Sequence, residues 1–116
     1  MTVTIYHNPR CSKSRQTLAL LREHGIEPDI VEYLRSPPTT SDLKRIIDQL
    51  GLSPRQLLRT GEAEYKANGL DDESLSDAAL IQAMCDHPRL IQRPIVIVGN
   101  RARIGRPPDA VLDILP

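Results

Sequence analysis

Cys11 stands in the run His7-Asn8-Pro9-Arg10-Cys11-Ser12-Lys13-Ser14-Arg15, one thiol among cationic side chains. A cysteine attacks as its thiolate, and a free thiol with a pKa of about 8.5 is only a few per cent ionised near neutrality. The surroundings must supply the rest. Unpaired backbone N–H groups at a helix N-terminus and the positive end of its dipole stabilise negative sulfur, and Arg10, Lys13, Arg15 and, when protonated, His7 lie close in sequence. The expected chemistry is nucleophilic attack by Cys11 on an anionic substrate. The second cysteine, Cys85, follows Met84 in a helical pattern and reads as a small core residue.

The elements that must position Cys11 follow from local patterning. Val3, Ile5 and Tyr6 form a short β run that Pro9 punctuates, and Leu18, Leu21 and Arg22 keep helical spacing up to Gly25. Cys11 therefore falls at the start of the first helix. Asp29 to Leu34 reads as a second strand, with Ile30 and Tyr33 or Val31 and Leu34 facing opposite ways, broken by Pro37-Pro38. Thr40 or Ser41 can cap a helix through Leu43, Ile46, Ile47 and Leu50 that Gly51 ends. Ser53-Pro54 opens another, a short helix is expected over Ala63 to Ala67, and Ser76 opens one that Pro88 stops.

Ile95-Val96-Ile97-Val98, Gly99-Asn100 and Arg101 to Ile104 read as a hairpin on a type II′ turn. A closing amphipathic helix after Pro107-Pro108 carries Val111, Leu112 and Leu115. The order predicts an α/β fold, one four-stranded mixed sheet flanked by helices, in a single domain over residues 1–116.

Composition narrows the function classes. Fifteen basic and fifteen acidic residues cancel, which argues against a general nucleic-acid binder, and three Tyr with no Phe or Trp leave no stacking platform for single strands. No apolar run approaches a membrane span, and Met1 leads directly into a strand, so no membrane association and a cytoplasmic location are expected. Two cysteines and three histidines form no metal-ligand spacing.

Several separated marks occur together: His7-Asn8-Pro9-x-Cys11-x-x-Ser14-Arg15, Arg59 after the central helices, Arg93-Pro94 before the third strand, and Gly105-Arg106-Pro107-Pro108 after the hairpin. In this combination the chain resembles, nearly end to end, the ArsC-type arsenate reductases. The resemblance implies a thioredoxin-like fold with a helical insertion between the second and third strands. It implies a nucleophilic Cys11 supported by His7 and Ser14, with Arg59, Arg93 and Arg106 holding an arsenate or similar small oxyanion, and Pro94 as a cis-proline beside the thiol. Glutathione as co-substrate and glutaredoxin as partner are implied with it, as are a monomer and no tightly bound cofactor.

Taken singly, each arginine reads first as a solvated surface residue, and His7 reads as well as the end of a strand. Ser12-Lys13 replaces the Gly-Thr of the best-known arsenate reductases next to the nucleophile. A phosphatase-type loop is excluded, because it spaces its cysteine and arginine more widely than Cys11 and Arg15. The competing class is an Spx-like regulatory module that binds RNA polymerase. Its usual Cys-x-x-Cys switch cannot form where Ser14 takes the second position.

Overall fold

The computed structural model describes residues 2–116, whose elements fall into two compact units. One unit holds the residues up to Ser36 together with Arg93–Pro116, and the other holds Pro37–Gln92.

In the first unit the strands β1 (Val3–Tyr6), β2 (Asp29–Val31), β3 (Ile95–Val98) and β4 (Arg101–Ile104) form one sheet in the order β2-β1-β3-β4. β1 pairs with β2 in parallel and with β3 in antiparallel, and β3 pairs with β4 in antiparallel. The register sets Val3 opposite Val98 and Ile5 opposite Val96, so that four aliphatic side chains share one face. Leu18 and Leu21 of helix α1 (Ser12–Glu23) and Val111 and Ile114 of a closing 3₁₀ helix (Pro108–Ile114) complete this core. Each fully buried aliphatic side chain contributes about 1.5–3 kcal/mol relative to exposure. This core anchors α1, and with it the residue at its N-terminus.

Helix α1 buries Ser14, Thr17, Leu18 and Leu21, a spacing that makes one stripe, and it ends where Gly25 turns the chain at φ +75°. At the hairpin, Gly99 takes a positive φ while Asn100 does not, as a type II′ turn requires.

Two elements differ from expectation. β2 is only three residues long, because the N–H groups of Arg35 and Ser36 fold back onto the Glu32 carbonyl and turn the chain out of the sheet. Ile30 and Leu34 are then exposed while Tyr33 is fully buried. The closing segment is 3₁₀ rather than α, so its buried residues recur every third position, Val111 and Ile114, and Leu112 is exposed.

The second unit is the helical segment between β2 and β3: α2 (Thr40–Leu50), α3 (Pro54–Leu57), α4 (Ala63–Ala67) and α5 (Asp77–Asp86), then a 3₁₀ turn (Pro88–Leu90). Helices α2, α3 and α5 start on side-chain caps: Thr39 on the Asp42 N–H, Ser53 in a reciprocal box with Gln56, and Ser76 on the Ala79 N–H. Thr39 takes the role expected of Thr40 or Ser41, one position earlier. Leu43, Ile46, Ile47, Leu57, Leu80, Met84 and Leu90 are buried. Among the described residues no helix is long and apolar enough to cross a membrane.

Candidate active site

Cys11 is the N-cap of α1. Its N–H donates to the Asn8 carbonyl at 3.0 Å, while Asn8 Oδ1 accepts from the Arg10 N–H at 3.0 Å. This tight turn brings the chain off β1 and leaves Cys11 extended at φ −94°, ψ 124° as α1 begins. The first turn of the helix holds no acidic residue. Burial of the 9% exposed Cys11 pushes the thiol pKa up, but more opposes it. The backbone N–H of Ser14, the Arg93 guanidinium by hydrogen bond and by charge, and the backbone N–H of Lys13 all favour the thiolate. The balance holds Cys11 below the ordinary thiol value.

The flanking cations act less directly than their proximity in sequence suggests. Arg15 Nη1 donates to the Pro9 carbonyl at 3.0 Å and so braces the turn, Arg10 is exposed, and Lys13 supports the sulfur with its backbone N–H. The charge that meets the sulfur comes from far along the chain.

Ser14, fully buried, accepts from the Asn8 N–H at 3.0 Å, and its Oγ lies 2.6 Å from His7 Nδ1. His7 is itself tied to the sheet by its N–H, which donates to the Val31 carbonyl at 2.9 Å. Burial lowers the His7 pKa, Glu32 opposes the shift, Arg22 and Arg15 add to it, and the outcome is a lowered value. Burial therefore disfavours the imidazolium, which runs against His7 serving as a nearby cation. Its contact is with Ser14 Oγ, so it acts on the cysteine turn as a brace.

Two of the three expected arginines converge on Cys11. Arg106 Nη2 lies 3.6 Å from Cys11 Sγ, and Arg106 Nε donates to the Arg93 carbonyl at 2.7 Å. The Arg93 guanidinium favours the charged form of the same sulfur. The peptide bonds Arg93-Pro94 and Arg106-Pro107 are both cis, the first as the resemblance implied. Two guanidinium groups beside one thiolate make a site for a compact anion, because each offers planar, forked donors that match tetrahedral oxygens.

Arg59 belongs to the second unit, just after α3, where its N–H donates to the Leu90 carbonyl at 2.7 Å beside the Leu58–Ile91 bridge. Its guanidinium Nε lies 3.3 Å from Glu62 Oε1, and Nη1 reaches the Gln92 side chain at 3.5 Å. Cys85, part-buried on α5, has its thiol pKa pushed up by burial and by the carboxylates of Asp86 and Asp42, so it stays protonated and inert at neutral pH.

Three supporting residues have roles that the motifs alone do not state. Asn8 shapes the turn with both its side chain and its backbone. Fully buried Thr17 sits one turn into α1, and Gly105 lies against it beneath the Arg106 loop. The Asn8-Pro9 pair was a turn signal whose side-chain role could have been inferred. Nothing local marked Thr17. Among the described residues no cluster of His, Cys, Asp or Glu could hold a metal.

The chain is 54% identical to the uncharacterized protein YfgD of Escherichia coli (strain K12), over 97% of this chain and 96% of that one. It is 50% identical to an arsenate reductase of Rhizobium meliloti (strain 1021), over 100% of this chain and 83% of that one. The structure of an arsenate reductase from Vibrio cholerae superposes with a TM-score of 0.97 at 53% identity, covering 99% of this chain and 98% of that one. The fold is thioredoxin-like, as in those relatives. The model of the ArsC family matches residues 6–114, and this chain belongs to the ArsC family.

Proposed function

We propose that this protein is a thiol-dependent arsenate reductase that uses Cys11 as nucleophile and glutathione with glutaredoxin as electron source. The observation that carries it is the placement of Arg106 Nη2 3.6 Å from Cys11 Sγ, with the Arg93 guanidinium favouring the thiolate at the same sulfur. The relatives named arsenate reductase support the substrate.

Arsenate is a dianion near neutral pH, and Arg93 and Arg106 neutralise it while holding its oxygens in line with the thiolate. Arg59 is assigned the third oxyanion contact, on the family pattern. The Cys11 thiolate attacks arsenic, a S–As bond forms, and one oxygen leaves as water after taking up protons. Arsenic is still pentavalent in this adduct. A glutathione thiolate then attacks the Cys11 sulfur, the S–As bonding pair stays with arsenic, and trivalent arsenite leaves as a Cys11–glutathione disulfide forms. Glutaredoxin reduces that disulfide and restores Cys11. With Ser14 three residues beyond the nucleophile, the loop has no resolving cysteine, and external thiols suit the chemistry. Such a cycle needs a reducing compartment, and we assign the protein to the cytoplasm on that ground.

The test is arsenate-dependent turnover by purified protein with glutathione, glutaredoxin and a reductant. Turnover that Cys11→Ser abolishes, and whose arsenate KM rises in Arg59→Ala, supports the assignment. No arsenate-dependent turnover refutes it.

A further inference from the structure

The segment that delivers Arg106 to the sulfur has almost no room beneath it. A Cβ added at Gly105 would fall 2.5 Å from Thr17 Oγ1, 2.8 Å from Pro94 Cγ and 3.1 Å from Thr17 Cγ2. Glycine is required here for space and not for backbone conformation, because Gly105 is not among the glycines with positive φ. The neighbours cannot easily yield. Thr17 is fully buried in α1 and its Oγ1 donates to the Lys13 carbonyl at 2.8 Å, while the Gly105 N–H donates to the Pro94 carbonyl at 2.9 Å. The next residue's guanidinium then donates to the Arg93 carbonyl and reaches the Cys11 sulfur.

We propose that Gly105 and Thr17 are positioning residues: the bare backbone of Gly105, seated on the Thr17 side chain and the Pro94 ring, sets the depth at which Arg106 enters the anion site. Thr17 lies six positions beyond Cys11 on the same helix, so one rigid element carries both the nucleophile and the stop that registers its arginine. A methyl group at Gly105 lifts the segment from α1 and withdraws the guanidinium from the sulfur and from any oxyanion bound there. The proposal rests on Arg106 serving the Cys11 site, but titration of the Cys11 thiol reads it without arsenate. A failure of the arsenate assignment is thus distinguishable from a failure of this one.

The experiment uses the full chain in a Cys85→Ser background, with folding checked by circular dichroism. In Gly105→Ala the Cys11 alkylation midpoint moves toward that of an ordinary thiol, and arsenate KM rises about tenfold, the order of one charge-assisted hydrogen bond. Adding Thr17→Ala to Gly105→Ala removes the two Thr17 contacts, leaves the one with Pro94 Cγ, and restores part of both quantities. In an Arg106→Ala background Gly105→Ala has no further effect on either. If Gly105→Ala does not fold, Thr17→Ile, which adds bulk beneath the same glycine, is read in the same way. A folded variant with the parental midpoint and KM, an effect that persists without the Arg106 guanidinium, or no recovery with Thr17→Ala overturns the proposal.

Discussion

Arg106 Nη2 lies 3.6 Å from Cys11 Sγ across a separation of 95 positions in the chain. The surroundings of the Cys11 sulfur are therefore assembled from two regions: the α1 N-terminus supplies backbone N–H groups, and the segments around β3 and β4 supply the guanidinium groups. On the proposed function, oxyanion affinity draws on the same arginines that flank the sulfur.

Because a forked guanidinium and not charge alone is argued to hold the anion, Arg93→Lys and Arg106→Lys should each raise arsenate KM about tenfold, with kcat changed less. Steady-state kinetics with arsenate varied at saturating glutathione checks this. Lysine variants with the parental KM would show that a point charge suffices.

Ser14→Ala leaves the Asn8 N–H and His7 Nδ1 without their shared partner inside a buried turn. The expected cost is about 1–3 kcal/mol of stability, read by urea denaturation, because orphaned buried groups lose their solvation without compensation. Cys11→Ser keeps that network and should cost less stability while removing all turnover.

The lowered pKa of His7 makes stability depend on pH with a definite sign. The folded state prefers neutral His7, so its contribution is complete above the unfolded value of about 6.5 and is lost as pH falls from there through the folded value. The stability difference between the parent and His7→Gln, followed by urea denaturation from pH 7.5 to 5, should shrink as pH falls. A difference that grows on acidification would mean that His7 is stabilised as the cation.

Much of this was legible in the sequence, and the failures have physical causes. β1, α1 and the Gly99 hairpin are specified by local spacing, so Cys11 at a helix start followed from neighbouring residues alone. The truncation of β2 and the 3₁₀ geometry after Pro108 depend on where a chain turns and how it packs, which the Ile30–Leu34 alternation and the Val111–Leu115 pattern do not encode. The cations around Cys11 show the same limit. Arg10 and Arg15 are near in sequence, but the guanidinium groups at the sulfur are those of Arg93 and Arg106, which only the combined family pattern pointed to. His7 misled in the opposite way, because its charge is set by burial against distant parts of the fold.

The most direct test is the pH dependence of alkylation at each cysteine, resolved by mass spectrometry after brief exposure to iodoacetamide. Cys11 is expected to titrate below an ordinary thiol, and Cys85 above one. A Cys11 midpoint at or above that of an ordinary thiol would contradict the assignment of Cys11 as a thiolate nucleophile at neutral pH.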